Sequence, residues 1–256
     1  MKKTILLLSI FMTSLIWKAQ AQIKTQTIDY KDGETALEGY LAYDESVKGK
    51  RPAVLVVHEW MGITDYTKKR CEELAKMGYI AFAPDIYGKG IRPTNMKEAG
   101  AQAGKYKGDR NLMRSRVNAG LNWLQKQENV DTKKIAAIGY CFGGTTVLEL
   151  ARSGANILGV VSFHGGLDNP KPEDAKNIKA KVLVCHGAID PNVPQEQVNA
   201  FMKEMNDAKV DYQFIAYSGA VHAFTNPAAS HFSFCPLANL GITWCPGCEV
   251  RGCMPV

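Results

Sequence analysis

The chain predicts a doubly wound, mainly parallel α/β sheet with helices on both faces. Three observations point there. Short, wholly apolar runs recur along the chain, each bounded by turn residues, the mark of strands buried on both faces. Segments with helical spacing separate these runs, and strands alternating with helices specify a parallel sheet. One run, residues 135–138, leads into the turn Gly139-Tyr140-Cys141-Phe142-Gly143-Gly144 and then into a helical stretch at 145–151.

The two ends read differently from the middle. Met1-Lys2-Lys3 opens a basic segment, residues 4–17 are mostly apolar, and Ala19-Gln20-Ala21 offers small residues for cleavage. Residues 1–21 are therefore expected to be a secretory signal peptide removed after Ala21. No apolar stretch reaches the ~20 residues of a membrane span, so an exported protein, periplasmic or secreted and without an anchor, is expected. Losing Lys2, Lys3 and Lys18 lowers the formal net charge from +6 to +3. With no Lys/Arg run interleaved with aromatics, nucleic acid is not an expected partner.

Residues 22–229 are expected to form one α/β domain, a length that buries a sizeable core. Residues 23–44 alternate apolar and polar side chains and predict a β-hairpin turning at Asp32-Gly33. Residues 52–57 and 79–83 are buried strands, and 66–77 is a helix with Cys71, Leu74 and Ala75 on one face. Residues 95–127 predict largely helical structure, with Met113, Val117, Leu121 and Leu124 as its apolar stripe. Strands are expected at 158–163, 181–185 and 212–217, and an amphipathic helix at 194–206 with Val198, Phe201, Met202 and Met205 inward.

The turn at Cys141 has the strand–tight turn–helix context of a nucleophile elbow, with Cys in place of Ser. An isolated free cysteine is most often a small buried hydrophobe. Here the flanking glycines argue otherwise, because a strained turn with strand and helix in close passage needs them. At a helix N-terminus the sulfur would face unpaired N–H groups and the positive dipole end, which favour a thiolate.

A thiol nucleophile needs a base, and the base an orienting acid. In an α/β-hydrolase the chain order is nucleophile, acid, His. Downstream of Cys141, Asp190 and His222 each follow a strand, where open α/β sheets carry their catalytic residues. Asp168 is the alternative acid. His58, His164 and His186 also lie near strand ends, but the order selects His222, leaving His58 and His186 to packing. The oxyanion donors expected are the N–H groups of Phe142, after the nucleophile, and of Trp60, after the first buried strand. Glu59 would then face Cys141 from a dry cleft, where a carboxyl pKa rises.

At these residues the sequence resembles the dienelactone hydrolase family. The resemblance rests on His58-Glu59-Trp60-Met61-Gly62, Pro84-Asp85-Ile86-Tyr87, the Gly139–Gly144 turn, Gly187-Ala188-Ile189-Asp190 and Gly219-Ala220-Val221-His222-Ala223-Phe224. It implies an α/β-hydrolase fold and a Cys–Asp–His triad that cleaves small esters or lactones through an acyl-thioester. It also implies that Glu59 takes the thiol proton when substrate binds. Tyr87 and Lys89 are the substrate-binding positions it suggests. Where family members use a second arginine to clamp a substrate carboxylate, this chain has Thr225-Asn226, which carries no charge. The expected partner is a small-molecule ester or lactone, and this chemistry calls for no cofactor or metal.

The resemblance also leads one to expect a final helix after His222. Residues 230–256 instead hold Cys235, Cys245, Cys248 and Cys253, three prolines, and only Glu249 and Arg251 as charges. The composition changes abruptly, as though the reading frame shifted near Ala229. Two other functions follow from this tail: an α/β-hydrolase-fold binding protein without activity, or a thiol or zinc site in the tail.

Overall fold

The computed structural model describes residues 21–228. All but Ala21 of the expected signal peptide, and the Cys-rich stretch at 230–256, lie outside the described residues. Eight strands form one sheet: β1 (Ile23–Asp32), β2 (Thr35–Asp44), β3 (Arg51–Val57), β4 (Ile80–Ala83), β5 (Val130–Tyr140), β6 (Gly159–Phe163), β7 (Lys181–Gly187) and β8 (Tyr212–Tyr217). Their spatial order is β1-β2-β4-β3-β5-β6-β7-β8. β4, β3 and β5–β8 run parallel, while β2 joins β4 and β1 antiparallel. Five helices accompany them: α1 (Asp65–Lys76), α2 (Met96–Gly108), α3 (Arg110–Gln125), α4 (Phe142–Arg152) and α5 (Gln195–Asp207). Among the described residues, none is long and apolar enough to cross a membrane.

The period of two along a strand shows why β3 is apolar throughout. Ala53, Leu55 and Val57 enter the core shared with α3, α4 and α5. Val54 and Val56 point the other way, against Cys71 and Ala75 of α1. A strand with a helix layer on each side has no solvent face, so it has no polar positions. This is an α/β-hydrolase arrangement, a mainly parallel sheet with helices on both faces.

Three expected boundaries differ. The hairpin turn falls at Gly33-Glu34, since Asp32 still pairs with Thr35. Gly33 has φ +57°, and glycine at the first central position suits a two-residue turn. The 95–127 stretch is two helices, because Asp109 caps α3 by accepting the Leu112 N–H at 3.0 Å. β5 extends back to Val130 through exposed Lys133 and Lys134, which the apolar run at 135–138 did not cover.

Register then sets the site. Val57 of β3 pairs with Gly139 of β5, Tyr140 with Phe163 of β6, Phe163 with Cys185 of β7, and Gly187 with Tyr217 of β8. The residues just past these carboxyl ends therefore meet: Glu59, Cys141, His164, Asp190 and His222.

Candidate active site

Cys141 sits between β5 and α4 with φ 54°, a left-handed conformation that strains a residue with a Cβ. The turn is tight enough to demand glycine around it. A Cβ on Gly139 would lie 2.0 Å from the Gly143 carbonyl oxygen, and one on Gly143 would lie 2.3 Å from that of Val57. The helix therefore starts directly against the end of β3. Phe142, its first residue, has an N–H that helix geometry leaves without an intrahelical acceptor.

The Cys141 sulfur lies 3.1 Å from Nε2 of His222, and His222 Nδ1–H donates to Asp190 Oδ2 at 2.8 Å. Asp190 is held in turn by the Asn192 N–H at 2.9 Å. Burial would lower the His222 pKa, but the contacts with Asp190 and Cys141 outweigh it and raise the pKa to about 10. Burial would raise the Asp190 pKa, yet its hydrogen bonds from His222 and Asn192 bring it below the usual carboxylate value. Asp168, the alternative acid, pairs with Arg110 at 2.5 Å and does not join this arrangement.

Glu59 lies on the loop after β3. Burial raises its pKa, the direction expected of a carboxylate in a dry cleft. Its hydrogen bond comes from Asn226 Nδ2 at 3.0 Å rather than from the thiol. His58 is fully buried and neutral in character, its pKa lowered by burial. Its Nδ1 lies 2.6 Å from the Glu59 carbonyl, which also accepts the Gly62 N–H at 3.2 Å. In a trans peptide the Trp60 N–H must point opposite to that carbonyl, so these bonds fix its direction.

The two residues expected to bind substrate each have a protein partner. Lys89 N–H bonds to Ala36 of the hairpin, and this draws the side chain outward to Asp29, 2.5 Å away. The ammonium is in a surface ion pair. Tyr87 does lie beside the elbow, its ring 5.3 Å from that of Phe142. Its hydroxyl donates to the Trp60 carbonyl at 2.8 Å and so braces the loop.

Residues 37–238 match the Dienelactone hydrolase family. The chain belongs to this family. A Yersinia pestis protein provisionally named carboxymethylenebutenolidase is 30% identical over 199 residues, which cover 73% of this chain and 74% of that one. A Bradyrhizobium protein named as an oxofuranylidene-propanoate lactonase is 30% identical over 78% of this chain and 85% of its own. Among solved structures, a dienelactone hydrolase-like promiscuous phosphotriesterase from metagenomic libraries aligns with a TM-score of 0.77. It is 41% identical, covering 82% of this chain and 87% of that one. As a dienelactone hydrolase relative, the chain is a hydrolase of lactones or esters.

Sequence reading took Thr225-Asn226 only as an uncharged pair and missed how these residues hold the dienelactone hydrolase elements in place. Asn226, which caps Glu59, and Thr225, which Tyr66 and Arg70 of α1 grip, are engaged by partners more than 150 positions away in the chain. No local pattern signals such pairs.

Proposed function

We propose that the protein is an exported cysteine hydrolase of small, uncharged esters or lactones, with Cys141 as nucleophile, His222 as base and Asp190 as its orienting acid. The observation that carries this reading is the unbroken run from Sγ to Nε2 at 3.1 Å and from Nδ1 to Oδ2 at 2.8 Å. The protonated ring that a raised His222 pKa favours is the cationic neighbour a thiolate needs.

In this mechanism Sγ attacks the carbonyl carbon and the C=O electron pair moves onto oxygen. The oxyanion meets the N–H groups of Phe142 and Trp60. Collapse re-forms the carbonyl and breaks the C–O bond, and the leaving alkoxide takes the Nε2 proton. Water then gives a proton to His222 as its oxygen attacks the thioester carbon, releasing the acid and the sulfur. Before acylation the sulfur is a thiol beside the protonated ring; Glu59 accepts its proton once substrate displaces Asn226 from it, and gives that proton back to the sulfur after the acid has left.

The preference for uncharged substrate is supported by the cations around the cleft, which are engaged. Arg70 pairs with Glu73 at 2.7 Å and donates to the Thr225 carbonyl at 2.9 Å. Arg92 pairs with Glu38 at 3.1 Å, and Lys89 with Asp29. The 41% identity to a promiscuous phosphotriesterase adds uncharged phosphotriesters as a second substrate class. A chromogenic phosphotriester tests it.

The deciding experiment follows the acyl-enzyme burst with p-nitrophenyl acetate. Cys141→Ala abolishes turnover and keeps the fold. His222→Ala costs nearly as much, since members of such a unit do not add. Asp190→Asn costs less, because the base remains. Glu59→Gln slows the burst by roughly 10²–10⁴-fold, the usual worth of general-base catalysis. Turnover by Cys141→Ala overturns the assignment, and an unchanged burst in Glu59→Gln removes Glu59 alone. Export rests on the residues at 1–21, and the exported protein is expected to begin at Gln22.

A further inference from the structure

The mechanism leaves His164, a buried polar side chain beside the reacting residues, without a role. His164 follows β6, is fully buried, and has φ 42°, a conformation that costs energy unless its surroundings hold it. Both ring nitrogens are engaged. Nδ1 lies 3.1 Å from the Cys141 nitrogen, and Nε2 lies 2.7 Å from Thr225 Oγ1. The ring edge also meets His222, with centroids 5.2 Å apart, and Phe224 at 5.4 Å.

The protons in this cluster can be assigned. A backbone N–H only donates, so Nδ1 accepts from Cys141 and the neutral ring must carry its proton on Nε2. Burial first, and the charge on His222 second, lower the His164 pKa to about 3, in keeping with a neutral ring. Nε2–H therefore donates to Thr225 Oγ1. The threonine hydroxyl is then free to donate to Tyr66 Oη at 2.9 Å, and Tyr66 to the Thr225 carbonyl at 3.1 Å. Arg70 Nη2 donates to the same carbonyl at 2.9 Å. The Cys141 N–H is shared between the Phe163 carbonyl oxygen at 3.0 Å and His164 Nδ1, and the chain of bonds runs from the elbow to α1 through the loop that carries His222.

We propose that His164 is a positioning residue, which ties the Cys141 turn to the His222 loop through Thr225 and so sets the sulfur-to-imidazole distance. The inference rests on the cysteine-hydrolase reading above. A histidine present only to fill space would need neither directed bond.

The test uses His164→Asn, Thr225→Val and Thr225→Ser, assayed with p-nitrophenyl acetate and by the pH profile of Cys141 alkylation by iodoacetamide. Asparagine keeps an amide near the Nδ1 position but is too short to reach Thr225. Valine keeps the threonine shape without its hydroxyl. Both are expected to lower kcat by roughly 10–100-fold, the scale of small misplacements in a site, with KM within about twofold. Both should also move the alkylation profile toward that of an isolated thiol, near pH 8.5. Because the two residues act through one bond, the double variant should lose little more than either single one. Thr225→Ser restores the hydroxyl and should recover most of the rate.

Wild-type kcat and an unshifted alkylation profile in Thr225→Val overturn the proposal, as does a serine variant no better than valine. If His164→Asn fails to fold, the Thr225 pair still decides the matter. A dead Cys141→Ala alongside a normal Thr225→Val removes the positioning role and spares the hydrolase. A Cys141→Ala protein that still turns over removes both.

Discussion

His164 and His222 sit against each other with pKa values moved in opposite directions, and stability should record both shifts. The His164 pKa falls from 6.5 to about 3, so between those values the unfolded chain binds the proton and the folded chain does not. Its contribution is present above pH 6.5 and is lost as pH falls toward 3, by about 1.4 kcal/mol per pH unit at most. The His222 pKa rises from 6.5 to about 10, so its contribution is present below pH 6.5 and is lost as pH climbs toward 10. Thermal denaturation across pH 4–10 should thus show His164→Asn losing less stability than wild type on the acid side. His222→Ala should flatten the alkaline side. Identical pH slopes in wild type and both variants would contradict this. Neither shift was visible in the sequence, because each comes from neighbours that only the sheet register brings near.

At the scale of elements, the elbow shows how little tolerance the site has. A methyl group on Gly143 would sit 2.3 Å from the Val57 carbonyl oxygen and 2.7 Å from that of His58. Both are backbone atoms that cannot swing aside, so α4 and β3 must separate. Gly143→Ala is expected to cost about 1–3 kcal/mol in urea denaturation, the usual scale of overpacking. It should also slow acylation, because Phe142 and Trp60 ride on the two elements forced apart. A variant with wild-type stability and burst rate would show that the contact relaxes freely. The strands here were legible, since β3, β4 and β8 are bounded by the edges of their own apolar or alternating runs. So was the order Cys141, Asp190, His222, each just after a strand. The split at Asp109 was not, because an Asp within a helical stretch reads equally as a surface residue or a cap. The partners of Lys89 were hidden for a related reason: sequence shows a cation near a motif, not the Ala36 carbonyl and Asp29 that turn it outward.

Across the whole molecule, the least legible feature is a buried ion network behind the sheet. Arg152 is fully buried and donates to both oxygens of Glu204 at 2.8 Å and to Glu149 at 3.0 Å. Arg114 joins Glu149 at 2.8 Å and Asp174 at 2.6 Å, so α3, α4, α5 and the short 3-10 turn at Pro172–Asn177 are bound together. Charges on helices read as solvated faces, and Glu204 even shares the buried face of α5 with Val198, Phe201 and Met205. Removing one member strands the others without water. Arg152→Met is therefore expected to lose about 3–5 kcal/mol in urea denaturation, whereas Arg152→Met/Glu204→Leu should lose less than that single change. A single variant of unchanged stability would mean that the network is replaceable. The register of the parallel strands has a consequence of another kind, in time rather than in space. Cys141 leaves β5 in mid-sequence, but Asp190 and His222 follow β7 and β8, the last two strands described. During synthesis the thiol is made first and waits without its imidazole until the far edge of the sheet has docked. Contacts spanning so much chain form late and slowly. In refolding, the contact between Cys141 and His222 should be among the last things to appear, well after helical signal has returned.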